Sequence, residues 1–256
     1  DNTVKTPEDV EEKFDIPVIS TIDFLKDKEQ TIIQNVLNDS SSLIAESFEG
    51  LRTSIMLSSG DNPLKTILIS SIIPGEGKSS ISACLAITTA QSGKKVLLID
   101  ADMRRPVQHK NLNLENTSGL SSFLAGVSDA KGLELNSPIE NLDVITAGPI
   151  PPNPSELLDS KKFVSLLSDA SGIYDRIIID TPPLASVTDP IILSQHVDGF
   201  IIVTWAGKTT YEMLGNGLKK LKEADAPITG LVLNRFSAKK SGYYYNYGDY
   251  YYASDS

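Results

Sequence analysis

Thr66-Ile67-Leu68-Ile69, then Pro74-Gly75-Glu76-Gly77-Lys78-Ser79, then the run from Ile81 to Ala90 reads as strand, glycine loop and helix in succession. A turn of this kind aims backbone N–H groups and a helix N-terminus at one point, which suits a polyphosphate without a large side-chain cage. Lys78 would reach the β- and γ-phosphates and Ser79 would place its hydroxyl on Mg2+, with Ser80 beside it at the helix start. The usual phosphate-loop pattern opens with a glycine five residues before Gly77, and here that position is Ile72. An ordinary Gly-Lys surface turn is the alternative, and the strands further along argue against it.

The first of these is Val96-Leu97-Leu98-Ile99, which runs into Asp100-Ala101-Asp102-Met103-Arg104-Arg105-Pro106. An unbroken apolar run ending in carboxylates predicts a buried parallel strand that delivers Asp100 and Asp102 to the C-terminal rim of the sheet. Ligands of open α/β sheets bind at that rim. Arg176-Ile177-Ile178-Ile179 delivers Asp180 in the same way, ahead of Thr181-Pro182-Pro183. One strand-end aspartate is commonly a helix cap. Three, with a lysine and a hydroxyl, compose a Mg-nucleotide site.

Further strands at Leu142 to Thr146, Gly199 to Thr204 and Ile228 to Leu233 continue the alternation of apolar strand and amphipathic helix from Thr66 to Phe236. This predicts a doubly wound, mainly parallel α/β sheet with helices on both faces, in a single domain over residues 1–236. A formal net charge of −10 over 256 residues argues against a nucleic-acid partner. The single cysteine, Cys84, lies among Ala83, Leu85 and Ala86 and reads as a core thiol in a reducing compartment. His109 and His196 have no metal-ligand spacing, and no apolar segment approaches the roughly 20 residues that span a bilayer. No signal peptide opens the chain, which begins at Asp1 and so reads as a candidate fragment of something longer.

Near the start, Thr6-Pro7-Glu8-Asp9-Val10-Glu11-Glu12-Lys13-Phe14 has a capping threonine, a first-turn proline and early acids, predicting a short helix before a strand at Pro17 to Ser20. At the other end, residues 237–256 hold Tyr243, Tyr244, Tyr245, Tyr247, Tyr250, Tyr251 and Tyr252 among Gly, Asn, Asp and Ser, a composition expected to stay flexible. Read from composition, this tail is either a low-complexity binding segment or a set of phosphate acceptors. A phenol of pKa about 10 needs a base to attack a phosphate at neutral pH. Extended, such a tail spans roughly 65 Å, enough to reach a neighbouring subunit.

Together these features resemble the bacterial tyrosine kinases that control capsule and exopolysaccharide export, a branch of the phosphate-loop NTPases with a deviant glycine loop. The resemblance covers almost the whole chain. The glycine loop, the Asp-x-Asp-x-Arg strand end, the Asp-Thr-Pro-Pro strand end and the tyrosine cluster stand in the family's order. So do Gly119-Leu120-Ser121-Ser122-Phe123-Leu124-Ala125-Gly126 and Ala147-Gly148-Pro149-Ile150-Pro151-Pro152-Asn153-Pro154-Ser155-Glu156-Leu157-Leu158. The prolines of the second stretch exclude regular structure through Pro154 and make Ser155-Glu156 a helix start.

The resemblance implies ATP and Mg2+ as cofactors, with Lys78 on the phosphates. It implies that Ser79, Asp102 and Asp180 hold the metal and that Asp100 is the base for the incoming tyrosine, although Asp100 and Asp102 could exchange those roles. Asn234 matches a position that contacts adenine in related ATPases; a strand-terminating turn residue is the other reading. Glu46 and Arg52 match a Glu-x-x-Arg-x-x-Arg motif of ring assembly in which the middle arginine is here Glu49. These residues lie opposite Ile44, Phe48, Leu51 and Ile55, so they would form a solvent-facing stripe whether or not they touch a neighbour. Residues 1–41, with Thr6 to Val10 foremost, resemble the stretch that joins an inner-membrane co-polymerase to its cytoplasmic kinase. The implied partners are other copies in a ring, a membrane co-polymerase or activator, and a phosphotyrosine phosphatase. Two rival functions are a site-selection ATPase switch and a nucleotide-binding scaffold. The first usually carries a second lysine where this chain has Ile73. The second predicts loss of a catalytic residue, yet Lys78, Asp100, Asp102 and Asp180 are all present.

Overall fold

The structure, a computed structural model, describes residues 2–25, 30–131, 133 and 135–237. Eight strands form one sheet: β1 (Val18–Asp23), β2 (Thr66–Ser71), β3 (Val96–Asp100), β4 (Leu135–Asn136), β5 (Leu142–Ile145), β6 (Arg176–Asp180), β7 (Gly199–Trp205) and β8 (Ile228–Phe236). Their spatial order is β1-β8-β7-β2-β6-β3-β5-β4. Every pairing is parallel except that of β4 on β5. The Ile- and Leu-rich strands β2 and β3 are buried along their whole length, as strands covered on both faces must be.

One face is covered by α2 (Ile32–Asn38), α3 (Leu43–Ser58) and α4 (Lys78–Gln91), and the other by α1 (Pro7–Phe14), α8 (Lys161–Ser171), α9 (Asp189–Ser194) and α10 (Tyr211–Glu223). The short helices α5 (Gln108–Asn111), α6 (Leu120–Leu124) and α7 (Pro154–Leu158) sit in loops at the sheet's C-terminal edge. From Ile81 to Ala90 every residue of α4 is buried, because the helix is wedged between the sheet and both α2 and α3. Helix α10 instead buries only Leu214, Gly217, Leu218 and Leu221 and turns its lysines outward. Cys84 is enclosed within α4, where burial pushes its thiol up. No described helix is long and apolar enough to cross a membrane.

The N-terminal helix forms as expected. The Thr6 hydroxyl accepts from Asp9 N and the Asp9 carboxylate accepts from Thr6 N, a complete capping box with Pro7 in the first turn. Residues 1–41 also contribute β1 to the edge of the main sheet, paired with β8.

Three local expectations are corrected. The helix after the proline run starts at Pro154 itself, since a fixed φ and a missing N–H cost nothing in a first turn. β8 continues through Asn234 to Phe236, held by pairing to β1 and β7, so Asn234 does not end the strand. The exposed stripe on α3 stops at Arg52: Glu46 and Glu49 face solvent, but the half-buried Arg52 donates from its NH1 to Thr88 O at 3.0 Å, near the end of α4. The guanidinium adds a second donor to a carbonyl in the last turn of α4 that already accepts from Ser92 N.

Candidate functional site

The sheet order puts the expected site together. Because β6 lies between β2 and β3, Asp180 is level with Ile69 on one side and with Asp100 on the other, beneath the loop that leaves β2. Gly75 and Gly77 take φ of 85° and 94°, which lets the loop fold back and open α4 without a side-chain cap. The first N–H groups of α4 therefore remain available to an anion.

Lys78 reaches across this space, its Nζ 3.0 Å from Asp102 Oδ2, 3.8 Å from Asp180 Oδ1 and 3.1 Å from Ser79 Oγ. Burial pulls the lysine down, but the charges of Asp180 and Asp102 outweigh it and hold Lys78 above its ordinary value. Burial, with Asp180 and Asp102 beside it, pushes Asp100 up to about 8. Asp180 is likewise raised by burial, against the opposing pull of Lys78.

Asp100 is fully enclosed. Its Oδ2 accepts from Val107 N at 3.1 Å and Gln108 N at 3.0 Å, and its Oδ1 from Asp102 N at 3.2 Å. Asp102 Oδ1 accepts from the backbone N–H groups of Arg104 and Arg105. The aspartates thus double as anchors for the loop after β3.

The Ser79 hydroxyl and the Asp102 and Asp180 carboxylates form a hard-oxygen donor set, and the Lys78 ammonium beside them offsets part of their charge. Mg2+ is commonly held by one or two carboxylates together with substrate phosphates, and the residues fit that pattern. Among the described residues no three His, Cys, Asp or Glu side chains group to hold a metal by themselves.

Contacts that the sequence did not foresee complete the site. Glu76, expected at the nucleotide as part of the glycine loop, is buried: it accepts from Ile73 N at 2.8 Å and from the Thr209 hydroxyl. Asn234 donates to Glu76 O at 2.8 Å, so its amide grips the glycine loop from beneath. Gln108 donates to both Asp180 Oδ2 and Ser79 O. Arg104 grips buried Asp189 through Nε at 3.0 Å and, with NH2, Ser155 Oγ at 3.2 Å; Ser155 also donates to Asp189 at 2.6 Å. That network anchors the proline-rich stretch to the β3 rim. Apart from the Ile73–Glu76 bond, these contacts have no local sequence signal, since the partners lie far apart in the chain. The tyrosines Tyr243 to Tyr252 lie outside the described residues.

Residues 64–226 match the AAA domain family. The tyrosine-protein kinase YwqD of Bacillus subtilis is 42% identical over 212 residues, covering 83% of this chain and 90% of that protein. The tyrosine-protein kinase wzc of Salmonella typhimurium is 34% identical over 93% of this chain, which spans only 33% of its length. The kinase domain of the Escherichia coli tyrosine kinase ETK superposes with a TM-score of 0.85 at 32% identity, over 91% of this chain and 95% of that one. The septum site-determining protein MinD of Pyrococcus horikoshii, complexed with Mg-ADP, shares the fold alone, at a TM-score of 0.58 and 24% identity over 68% of this chain and 71% of that one. With the phosphate loop, the strand-end carboxylates and these relatives agreeing, the chain belongs to the bacterial tyrosine kinases.

Proposed function

We propose that this kinase transfers the γ-phosphoryl group of ATP to the tyrosines of its own C-terminal tail, Tyr243, Tyr244, Tyr245, Tyr247, Tyr250, Tyr251 and Tyr252, mainly between subunits. The observation that carries the reading is the convergence of Lys78, Ser79, Asp102 and Asp180 at one glycine loop, in a chain that also carries a tyrosine cluster.

In the proposed reaction a phenolic oxygen forms the new bond to the γ-phosphorus, the bond to the β–γ bridging oxygen breaks, and ADP leaves with that electron pair. Lys78, the loop N–H groups from Pro74 to Ser80 and the helix start stabilise the equatorial charge. Bound Mg2+ would neutralise the phosphate oxygens, held by Ser79, Asp102 and Asp180. As the sequence resemblance implies, the phenolic proton goes to Asp100 in its ionised form, or to Asp102, which is slightly less enclosed. Asn234 serves the nucleotide by shaping the loop beneath the phosphates.

Successive phosphates add about −1.5 to −2 charges each, which drives a modified tail from an acidic neighbouring site. Assembly into a ring through Glu46 and Arg52 follows from the sequence resemblance, as does work beside a membrane co-polymerase or activator at the inner face of the bacterial inner membrane. Capsule or exopolysaccharide synthesis and export is the process it would regulate, with a phosphotyrosine phosphatase to reset the tail.

The test is intact mass after incubation with Mg-ATP, for the full chain, a chain ending at Phe236, and Lys78→Met. Added phosphates confined to the full, unmutated chain and mapped to Tyr243 through Tyr252 support the proposal. ATP consumption without added mass, equal in the full and shortened chains, overturns it in favour of a hydrolytic switch.

A further inference from the structure

Gln108 opens α5, directly after the loop that carries Asp100 and Asp102. It is fully buried, and its amide is committed on every side. Nε2 donates to Asp180 Oδ2 at 2.8 Å and to the main-chain oxygen of Ser79 at 2.9 Å, while Oε1 accepts from Asn111 Nδ2 at 3.1 Å. The Asn111 contact fixes which end of the amide faces the site, since only the oxygen can accept. The Gln108 backbone N–H meanwhile holds Asp100 Oδ2.

The consequence falls on Asp180. One of its oxygens, Oδ2, is occupied by a neutral donor, and the other, Oδ1, is turned toward Lys78 Nζ and the Ser82 hydroxyl. A carboxylate pinned by one oxygen presents the other in a fixed direction. The same amide ties that carboxylate to the start of α4, one bond network away from the Ser79 hydroxyl. Water has no route to replace the amide in so closed a place, so loss of Gln108 leaves Asp180 Oδ2 without this donor.

We infer that Gln108 is a positioning residue for the divalent cation: it locks Asp180 Oδ1 and the Ser79 turn into the spacing that a Mg-nucleotide complex requires. The inference rests on the assignment of Ser79, Asp102 and Asp180 to the metal. Hydrogen-bond partners behind metal ligands commonly control affinity by about 10–100-fold, which sets the expected size.

Gln108→Met keeps the length and removes both donors. Affinity for a fluorescently labelled ADP should be measured directly, with Mg2+ and in excess chelator, for wild type, Gln108→Met, Asn111→Ala and Asp180→Asn with and without Gln108→Met. The expected result is a drop of about tenfold in Gln108→Met with Mg2+ and little change in chelator. Asn111→Ala should show a smaller drop of the same kind, and Gln108→Met should add nothing once Asp180 is Asn. Equal losses with and without Mg2+ would overturn the inference, because they place the effect at the Ser79 carbonyl alone. Unchanged Mg-ADP affinity would overturn it as well. If circular dichroism shows Gln108→Met unfolded, Asn111→Ala decides by the same comparison. A wild-type chain whose ADP affinity ignores Mg2+ overturns the metal assignment itself, whereas one that binds Mg-ADP normally but gains no phosphate overturns only the kinase proposal.

Discussion

The two flanks of the glycine loop handle buried charge in opposite ways. On the β6 and β3 side, the carboxylates Asp100, Asp102 and Asp180 face the single ammonium of Lys78, and burial leaves Asp100 raised to about 8. On the β7 and β8 side, Glu76 is buried with no cation beside it among the described residues, and donors from Ile73, Thr209 and the backbone oppose its rise. The acidic flank carries more negative charge than its cation can balance, so it gains from receiving another. The Glu76 flank is satisfied by neutral, directional hydrogen bonds and gains nothing from exchange. One flank is built to bind and release; the other holds the loop's shape.

The most severe way to break this contrast is to remove the ammonium. Lys78→Met should lower the rate of phosphoryl transfer by at least about 10²–10³-fold, the loss typical of deleting one donor to transition-state charge. The fold should survive, as seen by an unchanged circular dichroism spectrum. A Lys78→Met chain that still labels its tail would mean that the acidic flank is structural and the charge imbalance incidental.

The complementary change belongs to the other flank. Thr209→Val keeps the shape but leaves a buried Glu76 oxygen without its hydroxyl, at a cost of about 1–3 kcal/mol measured by urea unfolding. Nucleotide affinity should weaken because the loop loosens, while kcat at saturating Mg-ATP stays near wild type. A collapse of kcat with stability intact would give Glu76 a part in the chemistry and erase the distinction.

The contrast also explains what could be read from the chain. The Ile- and Leu-rich strands from Thr66, Val96 and Arg176 are buried on both faces, so their unbroken apolar runs announce a parallel sheet. Their strand-end aspartates announce the acidic flank, because pattern and chemistry coincide in one short stretch. Nothing comparable marks the other flank. Thr209 and Glu76 are separated by 133 positions, and Asn234 and Glu76 by 158, so only the folded sheet brings them together. Arg52 illustrates the same limit: helical spacing placed it on the outer stripe, but a long side chain bends to the carbonyl of Thr88.

A smaller perturbation probes how tightly the Glu76 flank is packed. Gly77 has φ of 94°, and a Cβ there would run into Asn234 Nδ2, the atom that holds Glu76 O. Gly77→Ala should cost about 1–2 kcal/mol for the left-handed backbone alone, with the collision added. Combining it with Asn234→Ala should recover the collision part but not the backbone part, so the double variant should be less destabilised than the sum of the singles. Strict additivity would show that Asn234 yields freely and that this flank is softer than its hydrogen bonds suggest.

The finest test compares proton uptake by the two flanks in the nucleotide-free protein. A carboxyl raised from 3.8 to about 8 is protonated in the folded chain and ionised in the unfolded chain across the interval between those values. The folded state then binds more protons, so stability must fall as pH rises through that window and level off beyond about 8. One proton corresponds to at most about 1.4 kcal/mol per pH unit. Asp100→Asn cannot titrate, so whatever constant offset the substitution brings, its stability should fall less steeply than wild type between pH 5 and 8. Glu76→Gln should change the slope less, because the hydrogen bonds to Glu76 already favour its ionised form. Urea unfolding at several pH values reads both slopes. A steeper dependence on Glu76 than on Asp100 would invert the contrast, making the loop-shaping flank the one that stores the proton.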